Sequence, residues 1–340
     1  MKPARTIAIG ALATAALVTG AAIVEAGGWD NFKLRYYAWT SIFHDQTQEL
    51  DDLRSQSIAP EATSRIDLAQ LLDGGPPKDG IPSIDQPSFD TASTTPFGEN
   101  DLVVGVVING EAKAYPFNIL NWHEIVNDTI GGVTVTVTYC PLCDTIVAFE
   151  RGDTTFGVSG KLYQSCLVMF DRSDDSLFAQ PWAQGIAGPQ VNQNLDRVPA
   201  VKTTLGAWLA QHPDSQILST QTGHRRDYQR YPYGTYYTDE RIIFPVRHQD
   251  QLEHHPKTIV SYVWEADDQT PHNRFSGDSY AFVHDQLAQG GTQEVELAGC
   301  TLLARWDSDL ATVVVEDRDG HEIPSTTAFA FVYPAFFGTP

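Results

Sequence analysis

The sequence predicts a mainly β protein (a β-rich α+β fold), with one compact domain, short helices and an N-terminal arm. Three observations support this class. Short apolar or alternating runs rich in β-branched residues are separated by Gly, Asn and Asp turns. Helical periodicity is scarce outside two segments. The 340 residues, 42% of them hydrophobic, are enough to build a substantial core.

The N-terminus has the features of an export signal. Lys2 and Arg5 precede an uncharged apolar run from Thr6 to Val24, which is the arrangement of a signal peptide. Val24-Glu25-Ala26 offers a cleavage position, whereas the length of the run also suits a membrane-spanning helix. We therefore expect residues 1–26 to be a signal peptide, or an anchor that contacts the membrane if it is uncleaved. Either outcome places the body outside the cytoplasm, as a secreted, periplasmic or cell-surface protein.

Residues 27–100 are predicted to be a juxtamembrane segment and an irregular arm. The segment 27–60 begins with aromatic residues and then becomes acidic. The segment 61–100 is rich in Pro, Gly, Ser, Asp and Thr, a composition typical of irregular chain on a surface. The β-rich domain is predicted over 101–340.

Within this domain the predicted strands follow one another closely. Val103–Ile108, Asn109-Gly110 and Ala112–Tyr115 predict a hairpin with a tight primed turn. Val133–Tyr139 is an alternating strand that leads directly into Cys140. Further strands are predicted at Thr145–Phe149, Thr155–Ser159 and Cys166–Asp171. The best helix candidates are Thr203–His212 and Ser279–Gln289.

The order of features in Val103–Phe149 recurs in Ile259–Val315. Each segment has a strand, an aromatic stretch, a Gly-Gly turn, a second strand and a cysteine, in that order. The recurrence lies in the order of features rather than in the residues, and it suggests two related β units. In that case Cys300 is the positional counterpart of Cys140.

The charge balance excludes one large class of partner. The chain has 43 acidic and 22 basic residues, for a net charge of −21. Such a surface repels phosphate backbones, so we expect no nucleic-acid binding. The sequence also lacks a Gly-rich phosphate-binding loop that leads into a helix, so no nucleotide cofactor is expected. Whether the partner is a small molecule or a protein stays open at this point.

The main candidate for chemistry is Cys140-Pro-Leu-Cys143. Two thiols at this spacing can bind a metal, form a disulfide or act as a redox pair. A thioredoxin-like pair needs a helix after its first cysteine, whereas Thr145–Phe149 predicts a strand. Asp144 also opposes a lowered thiol pKa. Strand, Cys-Pro-x-Cys, strand is instead typical of a metal knuckle.

The other ligands of such a site must come singly from elsewhere in the chain. His123 is the leading candidate, because a turn and a strand separate it from Cys140 and can fold it back. Glu124 is a candidate ligand, ligand partner or general base. Cys166 and Cys300 are further candidate ligands. Thiolate and imidazole ligands suit copper or zinc, and the candidate catalytic residues are Cys140, Cys143, His123 and Glu124.

Several segments in a fixed order resemble the family called domain of unknown function 3179. They are Trp122-His123-Glu124, Val137-Thr-Tyr-Cys-Pro-Leu-Cys143, Phe156-Gly-Val-Ser-Gly160 with Leu162-Tyr163, and Met169-Phe-Asp-Arg172. The resemblance extends from about Asp79 to the C-terminus. One departure is Phe178, where the family pattern leads us to expect Trp. The resemblance implies no reaction, so function has to be argued from the site.

Three functions follow from these residues, and whether the protein is an enzyme stays open. The leading hypothesis is an exported protein with a Cys/His metal site for copper or zinc, with an oxidoreductase-like role if a coordination position is open. The first alternative is a non-enzymatic envelope binding or structural module in which Cys140 and Cys143 form a disulfide. An aromatic surface would suit that module, formed by Tyr163, Trp182, Tyr231, Tyr233, Tyr236 and Tyr237. The second alternative is a thiol–disulfide redox protein.

Overall fold

The computed structural model describes residues 22–24, 28–33, 35–36, 64–265 and 278–338. Most of the predicted export signal or anchor, residues 1–26, lies outside the described residues, as does all of 37–63. In the ranges that are described, none of the helices has the length and apolar character needed to cross a bilayer.

The strands are short and follow one another along the described chain. The first ten are β1 (Leu72–Asp73), β2 (Phe89–Asp90), β3 (Leu102–Ile108), β4 (Glu111–Pro116), β5 (Ile125–Ile130), β6 (Val133–Cys140), β7 (Thr145–Glu150), β8 (Phe156–Tyr163), β9 (Cys166–Asp171) and β10 (Leu177–Ala179). The others are β11 (Gln184–Ala187), β12 (Arg197–Val198), β13 (Val201–Thr204), β14 (Gln216–Leu218), β15 (Ile259–Trp264), β16 (Ser279–Val283), β17 (Thr292–Leu297), β18 (Cys300–Asp307), β19 (Thr312–Asp317) and β20 (Thr326–Phe329).

The helices of the domain are also short. They are α1 (Phe117–His123), α2 (Leu205–Gln211), α3 (His284–Leu287) and α4 (Val332–Phe337). Single 3-10 turns lie at Leu68–Gln70, Gln180–Trp182 and Gln249–Gln251. The mainly β class predicted from the sequence is therefore confirmed.

The strands of the described chain form five sheets. Their strand orders are β1-β8-β9-β10-β11, β12-β7-β6-β5, β13-β3-β4-β14-β2, β16-β15-β20 and β17-β18-β19. Pairing is antiparallel except between β14 and β4. Two-residue strands of the arm, β1 and β2, add to the edges of two sheets, so the arm from residue 64 onwards packs on the body.

The predicted hairpin at residues 103–115 is present as β3 and β4. Asn109 and Gly110 connect the strands with φ values of 50° and 81°, as a primed two-residue turn requires. Gly105 on β3 faces Trp208 of α2, and a Cβ at Gly105 would lie 2.3 Å from the indole ring. The close packing of α2 on this sheet therefore depends on a residue without a side chain.

The helix predicted over Ser279–Gln289 is wrong for its first half. Residues Ser279–Val283 form β16, which pairs along its whole length with β15, and only His284–Leu287 are helical. The apolar residues of this segment are β-formers, and the neighbouring strand supplies the backbone hydrogen bonds that a helix would supply internally.

The predicted recurrence of features corresponds to a recurrence of elements. The order β3, β4, α1, β5, β6, β7 is a hairpin, a short helix and a three-stranded meander, and β15, β16, α3, β17, β18, β19 repeats it. The two cysteines do not occupy equivalent positions, however. Cys140 ends the middle strand of its meander, whereas Cys300 begins the middle strand of the other.

The largest hydrophobic core cluster contains three of the four cysteines. Cys140, Cys143 and Cys166 are buried in it among aromatic side chains that include Tyr163 and Trp182. A second cluster fills the space between the β3–β4 sheet, α1 and the far side of β6. The Cys-Pro-Leu-Cys turn therefore lies inside the protein rather than at an exposed hairpin tip.

Candidate functional site

The Cys-Pro-Leu-Cys segment is the turn of the β6–β7 hairpin. Cys140 is the last residue of β6 and is the register partner of Thr145, the first residue of β7. The Cys143 amide donates to the Cys140 carbonyl at 3.3 Å, and Asp144 has a left-handed φ of 52°. The turn thus directs both cysteine side chains into the core, where Cys140 is 1% and Cys143 0% exposed.

A third thiol joins this pair through the neighbouring hairpin. Gln164 and Ser165 form the β8–β9 turn with φ values of 51° and 62°, and Cys166 begins β9. The Cys166 thiol contacts the Cys143 thiol, which in turn contacts that of Cys140. We call Cys140, Cys143 and Cys166 the thiol cluster. All three cysteines are free of disulfide bonds in the structure.

The thiol cluster is a chain with Cys143 in the middle rather than a compact triangle. Among the described residues, ligand atoms of three or more His, Cys, Asp or Glu side chains lie within 4.8 Å of one another only at Asp317, Asp319 and His321. Those three residues lie on the β19 side of the protein and are exposed or half-buried. The thiol cluster would therefore have to contract around an ion.

Burial keeps these thiols protonated. It raises the pKa of Cys166 to about 11 and the pKa values of Cys140 and Cys143 well above the usual range. The neighbouring carboxylate of Glu124 raises the pKa of Cys140 further. Thr145 opposes the effect at Cys143, because its hydroxyl donates to the sulfur at 3.0 Å. A thiolate is costly in this environment unless a cation accompanies it.

His123, the last residue of α1, has both ring nitrogens occupied. Nδ1 lies 2.8 Å from the Pro82 carbonyl oxygen and Nε2 lies 2.8 Å from the Tyr228 hydroxyl. Because a carbonyl only accepts, Nδ1 carries the proton and Nε2 accepts from Tyr228. Burial lowers the pKa of His123 to about 4. Metal binding by His123 stays a prediction, and it requires the imidazole to give up Tyr228.

Glu124 caps α1 in a conformation that is unusual for a residue with a side chain. Its φ is 59°, and such backbone strain is found preferentially at functional sites. The carboxylate is buried and accepts a hydrogen bond from the Tyr233 hydroxyl at 3.0 Å. Burial raises the pKa of Glu124 to about 7, although the Tyr233 hydrogen bond acts in the opposite direction. A carboxyl group in this state can exchange a proton near neutral pH.

A cavity of about 540 Å³ opens beside Glu124. Leu142, inside the Cys-Pro-Leu-Cys turn, forms part of its wall. The thiol cluster lies behind this wall in the core and does not line the cavity. Its other apolar wall residues include Ile81 of the arm, Val158, Leu162 and Leu167 of β8 and β9, and Phe244.

One long loop holds the candidate site residues in place. Residues 219–258 connect β14 to β15, and we call this segment the tyrosine loop. Its Tyr228 forms a hydrogen bond with His123, and its Tyr233 forms one with Glu124. Tyr236 of the same loop is fully buried and donates to the Leu142 carbonyl at 2.8 Å. These contacts were not predicted from the sequence, in which the tyrosines of this segment were considered only for an aromatic binding surface.

The aromatic residues considered for a binding surface separate into two groups. Tyr163, Trp182 and Tyr236 are buried in the core, whereas Tyr231, Tyr233 and Tyr237 are partly exposed. The six residues therefore do not form one exposed aromatic surface.

A buried ion pair lies on the other side of the turn. The Asp144 carboxylate contacts the Lys202 ammonium group of β13 and accepts from the Tyr139 hydroxyl at 3.1 Å. Burial acts to lower the pKa of Lys202, but the charges and hydrogen bonds of Asp144 and Tyr237 together outweigh it and raise this pKa. Lys202 also donates to Tyr237 at 3.0 Å. The negative charge that the sequence places beside Cys143 is thus neutralised by Lys202.

Cys300, the remaining candidate ligand, lies apart from the thiol cluster. It begins β18 in the three-stranded β17-β18-β19 sheet and is exposed to solvent. The structure therefore brings together Cys140, Cys143 and Cys166, places Glu124 near Cys140, and leaves Cys300 in a different sheet.

Comparison with known proteins gives one match. Residues 78–339 match the family model DUF3179, described as a protein of unknown function. Searches of curated proteins and of solved structures returned no significant match. The matched region covers every element from β2 to α4 and all of the candidate site residues. The chain therefore belongs to the DUF3179 family.

Proposed function

We propose that the protein binds one thiophilic metal ion through the thiol cluster, and that this ion is copper(I). The observation that carries the proposal is the contact of Cys166 with Cys143, which adds a third sulfur to the Cys-Pro-Leu-Cys pair. Three buried sulfurs from two adjacent hairpin turns form a donor set that is soft and shielded from water. Soft thiolate ligands of this kind select copper(I).

The protonation of the thiols favours metal binding over nucleophilic chemistry. Reactive cysteines have lowered pKa values and partial exposure, whereas these thiols are buried and their pKa values are raised. A metal ion that binds to thiolates displaces their protons and supplies the missing positive charge. We therefore expect metal binding to release protons and to weaken as the pH falls.

The number of available ligands favours copper(I) over zinc. Structural zinc takes four ligands in a tetrahedron, so the three thiols would need one more. His123 is already engaged by Tyr228 and Pro82. Glu124, the remaining candidate donor near Cys140, is buried and bonded to Tyr233. Copper(I) needs no oxygen or nitrogen donor when thiolates are available. All-thiolate ligation also stabilises copper(I), so holding the ion is favoured over an oxidoreductase-like role.

The proposal includes a location outside the cytoplasm. The apolar segment after Lys2 and Arg5 is the basis for proposing that the chain is exported, as a cleaved or membrane-anchored protein. Free thiols outside the cytoplasm tend to oxidise, and a bound metal ion protects them. An exported protein with three buried thiols and one exposed cysteine is consistent with that arrangement.

The test is an anaerobic copper(I) competition titration of the reduced protein against a chromophoric chelator such as bathocuproine disulfonate. We expect one copper(I) per chain, with affinity lowered about tenfold or more by Cys143→Ser, because this residue is central in the thiol cluster. Cys166→Ser should also weaken binding. Cys300→Ser is the matched control and should leave the affinity unchanged.

The same titration with His123→Gln separates two ligand sets. Unchanged affinity in this variant means that binding uses the thiols without the imidazole. A loss equal to that of Cys143→Ser means that Tyr228 is displaced and that the Cys/His site predicted from the sequence forms. Failure of the unsubstituted protein to compete with the chelator would refute the metal proposal.

A second candidate function rests on the central position of Cys143. Its sulfur contacts both Cys140 and Cys166, so a disulfide to one thiol could be passed to the other. The raised thiol pKa values make this exchange slow. Peptide mapping of the oxidised protein distinguishes the possibilities: mixed Cys140–Cys143 and Cys143–Cys166 disulfides indicate exchange, whereas a uniform Cys140–Cys143 bond indicates a structural module.

A further inference from the structure

The cavity beside Glu124 combines an apolar interior with a charged opening. Leu142, Leu162, Leu167 and Phe244 contribute apolar wall. At about 540 Å³ the cavity is within the size range of small-molecule sites. An interior of this kind favours a ligand with an apolar body.

The charge around the cavity is reversed relative to the rest of the chain. Five of the lining residues are Lys or Arg and three are Asp or Glu, whereas the whole chain has 22 basic and 43 acidic residues. The five basic residues are Lys33, Lys161, Arg225, Arg226 and Arg230. In a protein with a net charge of −21, this local excess of positive charge attracts anions that the remaining surface repels.

Two of these side chains have guanidinium groups that are not neutralised within the described residues. Arg230 forms an ion pair with Asp30 at 2.5 Å. Arg225 and Arg226 make no ion pair with a described Asp or Glu, and Arg226 donates to the Arg225 carbonyl at 3.0 Å.

Polar and aromatic groups also line the cavity. The buried Glu124 carboxyl lines it together with Tyr233, whose hydroxyl donates to that carboxyl. Trp122 adds an aromatic face that is held by Arg230, with the guanidinium 5.1 Å from the indole centroid. The cavity therefore offers apolar wall, aromatic face and cationic opening within one space.

We propose that this cavity binds a small amphipathic organic anion, with its apolar body against Leu142 and Leu162 and its acidic group at Arg225 and Arg226. The two guanidinium groups of the tyrosine loop contact the acidic group of this ligand. This site is separate from the thiol cluster, which lies behind Leu142, and it does not depend on a bound metal ion.

Two fluorescent probes with a shared aromatic frame test the proposal on the metal-free full chain. Anilinonaphthalene sulfonate is an amphipathic anion, and phenylnaphthylamine is its uncharged counterpart. We expect saturable binding of the sulfonate that is weakened about tenfold by the double substitution Arg225→Gln and Arg226→Gln, because two charge-assisted contacts are lost. Binding of the uncharged probe should stay the same in this variant.

The control variant is Arg318→Gln, which removes an arginine that is 73% exposed and lies near Glu294 and Glu296. It should leave the affinity for the sulfonate unchanged. Equal affinities in the unsubstituted protein and the double variant would overturn the proposal, as would the absence of saturable binding. Cys166→Ser should retain sulfonate binding, so failure of the metal proposal is distinguishable from failure of this one.

Discussion

Acidification should weaken the fold through His284, the first residue of α3. This imidazole is 7% exposed, and its Nε2 lies 2.8 Å from the Ser261 hydroxyl of β15. Burial lowers the pKa of His284 to about 3, and the charge of Lys202 acts in the same direction. The folded state therefore holds the neutral imidazole, whereas the unfolded chain takes up a proton near the usual value of 6.5.

The sign and size of the effect follow from this difference. A group with a lowered pKa in the folded state contributes stability above its unfolded pKa, and this stability is lost as the pH falls towards the folded pKa. Between about pH 7.5 and about pH 5 the unfolded state gains most of one proton and the folded state gains almost none. The loss from His284 is then about 2 kcal/mol in the free energy of unfolding.

Urea unfolding followed by tryptophan fluorescence at both pH values measures this loss. His284→Gln removes the titrating group, so its free energy of unfolding should fall less on acidification than that of the unsubstituted protein, by about 2 kcal/mol. His321→Gln, which removes a largely exposed imidazole, is the control. The same loss on acidification with and without His284 would refute the reasoning.

Three further predictions concern packing, charge and thiol access. Gly105→Ala should cost about 1–3 kcal/mol in the free energy of unfolding because its methyl group meets the Trp208 ring; a change within about 0.5 kcal/mol would contradict this. Lys202→Met should cost about 3–5 kcal/mol by leaving Asp144 buried and unpaired. Adding Asp144→Asn should restore much of that stability, and no restoration would argue against the ion pair. In the reduced, metal-free native protein only Cys300 should react quickly with a thiol reagent, and rapid labelling of more than one thiol would contradict the burial of the others.

The parts of the fold that the sequence predicts are those determined by local signals. The Asn109-Gly110 turn sets the register of β3 and β4 by its own backbone preference. The alternation in Val133–Tyr139 identifies β6 almost to the residue. The helix prediction for Ser279–Gln289 is wrong in its first half because pairing with β15 decides the structure there. Local sequence does not reveal that pairing.

The same distinction applies to the contacts within the candidate site. Only two residues separate Cys140 from Cys143, so their proximity needs no tertiary information. The contact of Cys166 with Cys143 depends on two neighbouring hairpins, and the engagement of His123 by Tyr228 depends on a loop more than a hundred residues downstream. Nothing in the local sequence of His123 distinguishes a metal ligand from an imidazole that is held by two hydrogen bonds.

The central claim is that the thiol cluster holds a metal ion. Elemental mass spectrometry together with a thiol count, on full-length protein purified from the export compartment without added metal, tests it most directly. The account predicts about one copper per chain, lost in Cys143→Ser and retained in Cys300→Ser. Protein without metal whose Cys140 and Cys143 are joined in a disulfide would contradict it.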